Sequence, residues 1–436
     1  KTISMAEFKD FIQIENDGKL YGGIFIKQDG DFIVLKLSSG YNISLPASSK
    51  LEIIKKNSQN NSKEIENLFS HSSDKKNILI LHTGGTIASK VDYATGGVIS
   101  KITPEELLNM FSLMHKYCNF DTKLLAAMWS EDMRFDHYNL IAEEIKLAVE
   151  NHYDGVIITH GTDTLHYTSA ALSFMFEDLT IPVVIVGAQR SSDRGSSDAY
   201  INMAAASKFL STYDKSGIFI CMHKNESDNI CHILKGVNVR KMHTTFRGAF
   251  RQINSIELAS VNVIEDKISK TYEFEKYNYY KKIENKLIKL NSNLKIGILY
   301  IHPNMHIDEF EMYNNFDALI ICSVGIGNMP INEIDNFTIN HNKFYDWIKN
   351  MSQKIPIIFT AQTIYGRINQ NVYSTGRKLS ELNIAGHLMD TTIETAFCKI
   401  AYLLSKNIDL SQILELYNKN LKGEIDNHIN KDSFLR

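Results

Sequence analysis

The sequence predicts an α/β protein in three parts: a small N-terminal β-barrel, a large domain built on a parallel sheet, and a smaller C-terminal α/β domain. Three observations lead there. Residues 19–45 alternate apolar and polar positions in short runs cut by Asp29-Gly30 and Ser39-Gly40, the pattern of antiparallel strands joined by tight turns. From residue 77 onward, short apolar runs are each followed by a helical pattern, as in mostly parallel sheets. That rhythm stops across a Tyr-, Lys- and Asn-rich stretch and then restarts on a shorter scale.

In chain order, residues 1–55 form the expected barrel, and residues 56–76 form a polar linker in which Ile65, Leu68 and Phe69 can anchor one short helix. Residues 77–266 carry the large domain. Its expected elements are a strand at 77–81, a helix from about Thr103, a strand within 153–161, a helix from His166 and a strand within 181–188. Residues 267–293 link it to the smaller domain at 294–436, where KIGILYI, DALIICSV and PIIFTAQ read as strands.

Composition excludes several function classes. The 436 residues exceed one common domain size, and no apolar run approaches the roughly 20 residues of a membrane helix. No membrane association is expected, and without an N-terminal apolar h-region the expected location is cytoplasmic. A net charge of −3 has the wrong sign for a broad nucleic-acid-gripping face, so any RNA contact is local or made by a partner. Five scattered cysteines fit a reducing compartment better than a disulfide framework. Cys221-x-His223 with Cys231-His232 does not have a standard zinc spacing, so buried thiols are preferred there and no metal is expected.

Chemistry concentrates at strand ends. The strand at 77–81 runs into His82-Thr83-Gly84-Gly85-Thr86, and the strand before His160 runs into Gly161-Thr162-Asp163-Thr164. Glycines at the carboxyl end of a parallel strand let backbone approach a ligand, which is where open α/β sheets bind. Each motif alone is also explained by turn-making glycines and helix-capping hydroxyls. Neither fits a P-loop or a GxGxxG dinucleotide fingerprint, so nucleotide binding is disfavoured.

Taken together, Thr83-Gly84-Gly85-Thr86-Ile87-Ala88 and His160-Gly161-Thr162-Asp163-Thr164 resemble the two signatures of the type I/II L-asparaginase family. Further segments narrow the resemblance: KLSSGYNISL at 36–45, TGGTIASKVDYATGGV at 83–98, WSEDM at 129–133, GAQRSSDRGSSDA at 187–199, VRKMHT at 239–244 and VYSTGRKL at 372–379. With these, most of the chain is similar to the D-subunit family of archaeal glutamyl-tRNA(Gln) amidotransferases. The resemblance implies an asparaginase-like core behind a β-barrel, hydrolysing the side-chain amide of free Gln or Asn and passing ammonia to an E subunit that amidates Glu-tRNA(Gln). It also implies a homodimer within a heterotetramer, tRNA held mainly by the partner, and no cofactor on this chain, since ATP and Mg would be used by the partner.

By motif, Thr86 matches the nucleophile, Thr162 and Asp163 the second signature, and Lys241 of VRKMHT the catalytic lysine. Ser130 and Glu131 align with the substrate-holding Ser-Gln pair, with an acid replacing the amide. Gly85, Gly161 and the flap residue Tyr93 complete the expected substrate-binding set. The chemistry is self-consistent: amide hydrolysis needs a hydroxyl nucleophile and a base to take its proton, and a lysine can be that base where burial and nearby charge lower its pKa. Thr162, Asp163 and Lys241 can form such a relay. Outside the motif, Lys241 beside Arg240 reads as a solvated lysine and Tyr93 as plain loop packing.

The sequence departs from the family at His387–Glu394, which keeps Asp390 and Glu394 but lacks the usual methionine and proline, and at Gly195, where proline is common. These changes bear on loop rigidity and partner contacts more than on chemistry. A stand-alone asparaginase would share the core without needing the barrel, and a silent scaffold would not need Thr86, Thr162, Asp163 and Lys241.

Overall fold

The computed structural model describes residues 10–37, 42–55, 71–85, 89–91, 98–100, 112–191, 197–213, 215–278, 280, 285–429 and 431–434. Thr86, Tyr93, Gly195, the linker helix and the start of the helix from Thr103 lie outside them.

The N-terminal unit is a five-stranded antiparallel sheet of order β4-β3-β2-β1-β5, made of β1 (Phe11–Asn16), β2 (Lys19–Asp29), β3 (Phe32–Leu37), β4 (Asn42–Pro46) and β5 (Lys50–Lys55). Asp17 and Gly18, both at positive φ, make the first hairpin, and Gly30 makes the second. A register shift between Phe25 and Lys27 bends the long β2, so one face curls around Ile12, Ile14, Phe25, Ile33, Leu35 and Leu45.

The large domain holds an eight-stranded sheet of order β17-β16-β13-β12-β11-β10-β6-β9. Its parallel half is β6 (Asn77–Gly84), β9 (Asn119–Met128), β10 (Gly155–Thr159), β11 (Pro182–Val186) and β12 (Gly217–His223). β10, β11 and β12 are buried along their whole length, which explains why the first two read as unbroken apolar runs. Helices α1 (Phe135–Glu150), α2 (Leu165–Met175) and α3 (Ala199–Thr212) supply the crossovers. A short hairpin, β7 (Ser89–Val91) with β8 (Val98–Ser100), follows β6.

The sheet is less parallel than the sequence predicts. β13 (Ile230–Lys235), β16 (Ala259–Asn262) and β17 (Lys267–Lys270) extend it antiparallel, because the short β12–β13 connection permits a hairpin but not a crossover. Between them, β14 (Val239–Lys241) pairs with β15 (Phe250–Gln252) in a separate two-stranded ribbon. α4 (Tyr272–Lys276) follows β17 and sets Phe274 against Phe209 and Tyr213.

The C-terminal region forms a three-stranded parallel sheet of β18 (Ile296–Tyr300), β19 (Ala318–Ser323) and β20 (Ile357–Ala361). It is accompanied by α5 (Asp308–Glu311), α6 (His341–Met351), α7 (Ser374–Ser380), α8 (Ile393–Ser405) and α9 (Leu410–Tyr417). One core gathers Phe310, Phe344 and Ile348, with the two phenylalanine rings stacked at 4.9 Å. α8 instead packs against α2 of the large domain, Tyr402 stacking on Phe174 and Phe397 meeting Tyr167 edge-on. A single hydrophobic core therefore continues from Val156 and Leu172 to Ala396 and Ile400. Among the described residues no helix is long and apolar enough to cross a membrane.

Candidate active site

Four adjacent parallel strands, β11, β10, β6 and β9, end side by side, and the segments that begin at Gly187, His160, Thr83 and Trp129 each start at one of those ends. The registers Thr159↔Val186, Thr159↔His82 and Gly84↔Met128 fix their relative heights. Beneath the site, His82 Nδ1 meets Thr159 Oγ1, and Thr83 Oγ1 donates to Thr159 O at 2.8 Å. Burial lowers the pKa of His82 and of His160 to about 4, so both rings are neutral struts. His160 spends its two ring nitrogens on Gly161 O at 2.7 Å and Thr168 Oγ1 at 2.8 Å.

The glycines are where three loops crowd together. Gly84 and Gly85 have φ of +108° and +79°, and Gly85 N donates to Met128 O at 3.1 Å. A Cβ on Gly85 would collide with the Cα and N of Gly161, and a Cβ on Gly161 would lie 2.7 Å from the Cβ of Ser130. Gly85, Gly161 and Ser130 therefore meet at one point, one residue before Thr86.

Lys241 joins them from the β14–β15 ribbon. Its Nζ donates to Thr162 Oγ1 at 2.9 Å and to Asp163 Oδ1 at 2.8 Å, bridging residues 79 and 78 positions apart in sequence. The Lys241 side chain is 12% exposed and that of Asp163 67%, so the ammonium is sheltered while the carboxylate faces outward. Ser130 is buried; its Oγ accepts from Thr164 N at 3.3 Å, and Thr164 Oγ1 donates to Ser130 O at 2.6 Å. Glu131, next along the same turn, is exposed. The structure thus brings together Thr162, Asp163, Lys241, Ser130, Gly85 and Gly161.

Sequence reasoning gave no role to Gln189. Its Oε1 accepts the Thr162 hydroxyl at 2.9 Å while its Nε2 donates to Phe246 O at 3.0 Å. Asp198, fully buried, holds the Gln189 and Arg190 amides at 3.0 and 3.1 Å, and burial raises its pKa against those hydrogen bonds. The available signal was position: Gln189 stands just past the carboxyl end of β11, beside the two recognised strand ends.

The Cys/His group lies elsewhere in the sheet. His223 Nδ1 and Cys231 Sγ both approach Asn202 Oδ1, at 2.6 and 3.3 Å, in a buried hydrogen-bond cluster. Among the described residues no three His, Cys, Asp or Glu side chains are gathered as a metal site.

Comparison with known proteins defines the class first. The family profile described as "Asparaginase, N-terminal" matches residues 77–274, and "Glutaminase/Asparaginase C-terminal domain" matches 295–417. L-asparaginase I from Vibrio cholerae shares 26% identity at a TM-score of 0.68, covering 81% of this chain and 99% of its own. The thermostable L-asparaginase from Thermococcus kodakarensis shares the fold at a TM-score of 0.70 with 24% identity, over 81% of this chain and 100% of its own.

The remaining N-terminal segment narrows this, because residues 6–54 match the "GatD N-terminal domain". The D subunit of the glutamyl-tRNA(Gln) amidotransferase of Methanobrevibacter smithii is 35% identical over 98% of this chain and 95% of its own length. That of Pyrococcus furiosus is 34% identical over 100% and 98%. The chain belongs to the family of glutamyl-tRNA(Gln) amidotransferase D subunits.

Proposed function

We propose that this chain is the ammonia-generating subunit of a tRNA-dependent amidotransferase that converts Glu-tRNA(Gln) to Gln-tRNA(Gln). The observation that carries the chemical part is the Lys241–Thr162–Asp163 cluster at the strand ends, with the neighbouring Gly161 in contact with Gly85, the residue that precedes Thr86 in sequence.

In the proposed first half-reaction Thr86 Oγ attacks the side-chain amide carbon of Gln or Asn, and its proton is taken up. The amide nitrogen leaves as ammonia, and an ester to Thr86 remains. In the second, water attacks that ester and releases Glu or Asp. Thr162 with Lys241 behind it is the route by which a proton is accepted and returned, Gln189 fixing the rotor of the Thr162 hydroxyl. Asp163, outward-facing, and Ser130 hold the amino-acid end of the donor. Glu131 stands on the exposed side of the same turn and contributes charge at the entrance.

The ammonia then passes to an E subunit, which activates the side-chain carboxylate of the tRNA-bound glutamate with ATP and Mg and holds the tRNA. A net charge of −3 supports that division of labour. No cofactor of its own enters the scheme, the assembly is read as a heterotetramer around a homodimer of this chain, and the five buried free thiols support a cytoplasmic setting.

The test measures ammonia release from Gln and from Asn by the purified chain, with and without the E subunit and Glu-tRNA(Gln), together with Gln-tRNA(Gln) formed in the presence of ATP. Partner-dependent amidation is the expected outcome. Free hydrolysis as fast alone as in the complex, with no amidated tRNA, overturns it in favour of a stand-alone asparaginase.

A further inference from the structure

Behind the relay lies a buried charged cluster to which no role has been given. Glu394, in the first turn of α8, is 6% exposed, and so is His166, in the first turn of α2. Glu394 Oε1 faces Arg240 Nε at 3.5 Å and His166 Nε2 at 3.7 Å. Tyr300, at the end of β18, lies beside Arg240 as well. Among the described residues neither Glu394 Oε2 nor His166 Nδ1 has a hydrogen-bond partner. Burying a carboxylate this deeply costs several kcal/mol and is offset only through the charges it faces. Burial pushes the Glu394 pKa up, but His166 and Arg240 together hold it below the usual carboxylate range.

The placement of the two partners is what gives the cluster meaning. Successive side chains on a strand point to opposite faces, so on β14 Arg240 points back to the C-terminal region while Lys241 points into the site. A grip on Arg240 therefore fixes the roll of a three-residue strand and with it the direction of Lys241. His166 comes three residues after Asp163, on the helix that continues from the relay loop. One carboxylate thus holds the segment bearing Lys241 and the segment bearing Thr162 and Asp163.

We propose that Glu394 is a positioning residue for amide cleavage: through Arg240 and His166 it makes the C-terminal region set the Lys241–Thr162–Asp163 geometry. This rests on the relay reading above. Misplacing reacting groups by about 1 Å can cost on the order of 100-fold in rate, so a distant carboxylate can matter to chemistry without touching substrate.

The experiment uses the full chain in its amidotransferase complex and reads ammonia release. Glu394→Gln is expected to lower kcat about 10-fold or more while KM changes less than about 3-fold, because the loss falls on the chemical step. Arg240→Lys, which keeps a cation opposite Glu394, should retain more kcat than Arg240→Met. The double variant Glu394→Gln/Arg240→Met should be no slower than the slower single variant, as expected for residues acting as one unit. A parental kcat in Glu394→Gln, with only a lowered melting temperature, overturns the proposal and leaves Glu394 as scaffold. Lys241→Met separates the two readings. If it is inactive while Glu394→Gln is fully active, only the positioning role fails; if it is itself fully active, the relay reading fails.

Discussion

Lys241 Nζ donates to Thr162 Oγ1 at 2.9 Å, and the Thr162 hydroxyl donates onward to Gln189 Oε1 at the same distance. The three residues come from the β14–β15 ribbon, the loop after β10 and the loop after β11. A hydroxyl held between a lysine and an amide has its proton directed and its lone pair engaged, so proton movement at Thr162 follows a defined line. Solvated surface residues do not build such a chain, and Lys241 is 12% exposed.

Replacing Lys241 with Met removes the amine at the head of that line while keeping the stem. Ammonia release should fall about 100-fold to 10,000-fold with an unchanged melting curve. Lys241→Arg should not restore activity, since a guanidinium stays protonated at any working pH. Steady-state kinetics beside circular dichroism checks both, and an unchanged kcat/KM in the Met variant would return Lys241 to a purely structural role.

Gly85→Ala should abolish activity and destabilise the large domain, because its Cβ would meet the backbone of Gly161 and not a movable side chain. Gly30→Ala is the matched control. Its φ is +57° with nothing within 4 Å of an added Cβ, so it should carry only the left-handed backbone penalty of about 1 kcal/mol. Similar behaviour of the two variants in chemical denaturation and ammonia release would show that strain, and not crowding at the strand ends, sets the requirement for Gly85.

These contacts explain what was legible in the sequence. β6, β10 and β11 announced themselves as apolar runs because both faces of the sheet are covered there, and the site announced itself because close backbone approach demands glycine at Gly85 and Gly161. Lys241 was found only by its motif, since its relation to Thr162 spans 79 residues and no local pattern encodes it. The antiparallel wing of β13, β16 and β17 escaped notice because its short strands, such as Lys267–Lys270, lie at or near the sheet edge and mix polar with apolar residues. The roles of Gln189 and Glu394 were invisible for the same reason as each other: their partners are fixed by tertiary packing alone.

The nucleophile should be a hydroxyl, not a thiol. All five cysteines are buried, and burial pushes Cys118 and Cys322 up to about 12 and raises Cys231 and Cys398 too, so thiolate is scarce at neutral pH. A reactive amide analogue of Gln should label Thr86, located by peptide mass spectrometry, and thiol-directed alkylation of the native chain should leave activity intact. An adduct found solely on a cysteine would exclude the Thr86 mechanism.

Lys399 and Glu424 form an ion pair at 2.5 Å with both side chains fully buried. Lys399 also donates to Lys419 O at 2.6 Å, while Glu424 accepts the amides of Leu421 and Lys422, so the pair ties the chain after α9 to α8. Lys399→Met strands a buried carboxylate and should cost about 3–5 kcal/mol, measured by urea unfolding. Lys399→Met/Glu424→Gln should recover part of that loss, and a double variant as unstable as the sum of the singles would refute the pairing.

Asp390 supplies a pH dependence whose sign follows from its surroundings. It is 5% exposed, and burial raises its pKa to about 6 although Arg367 opposes the shift. The native state therefore binds a proton more readily than the unfolded chain, whose aspartate titrates near ~4. The stabilisation this gives is complete below about pH 4 and is lost as pH rises through about 6. Asp390→Asn, neutral at every pH and still able to accept from Asp426 N, removes that dependence. The melting temperature of the variant relative to the parent should rise between about pH 4 and about pH 6 and level off above that, once the native carboxyl has ionised. A difference that stays flat across that range would mean that folding leaves the Asp390 pKa unshifted, and one that falls would mean that Arg367 outweighs its burial.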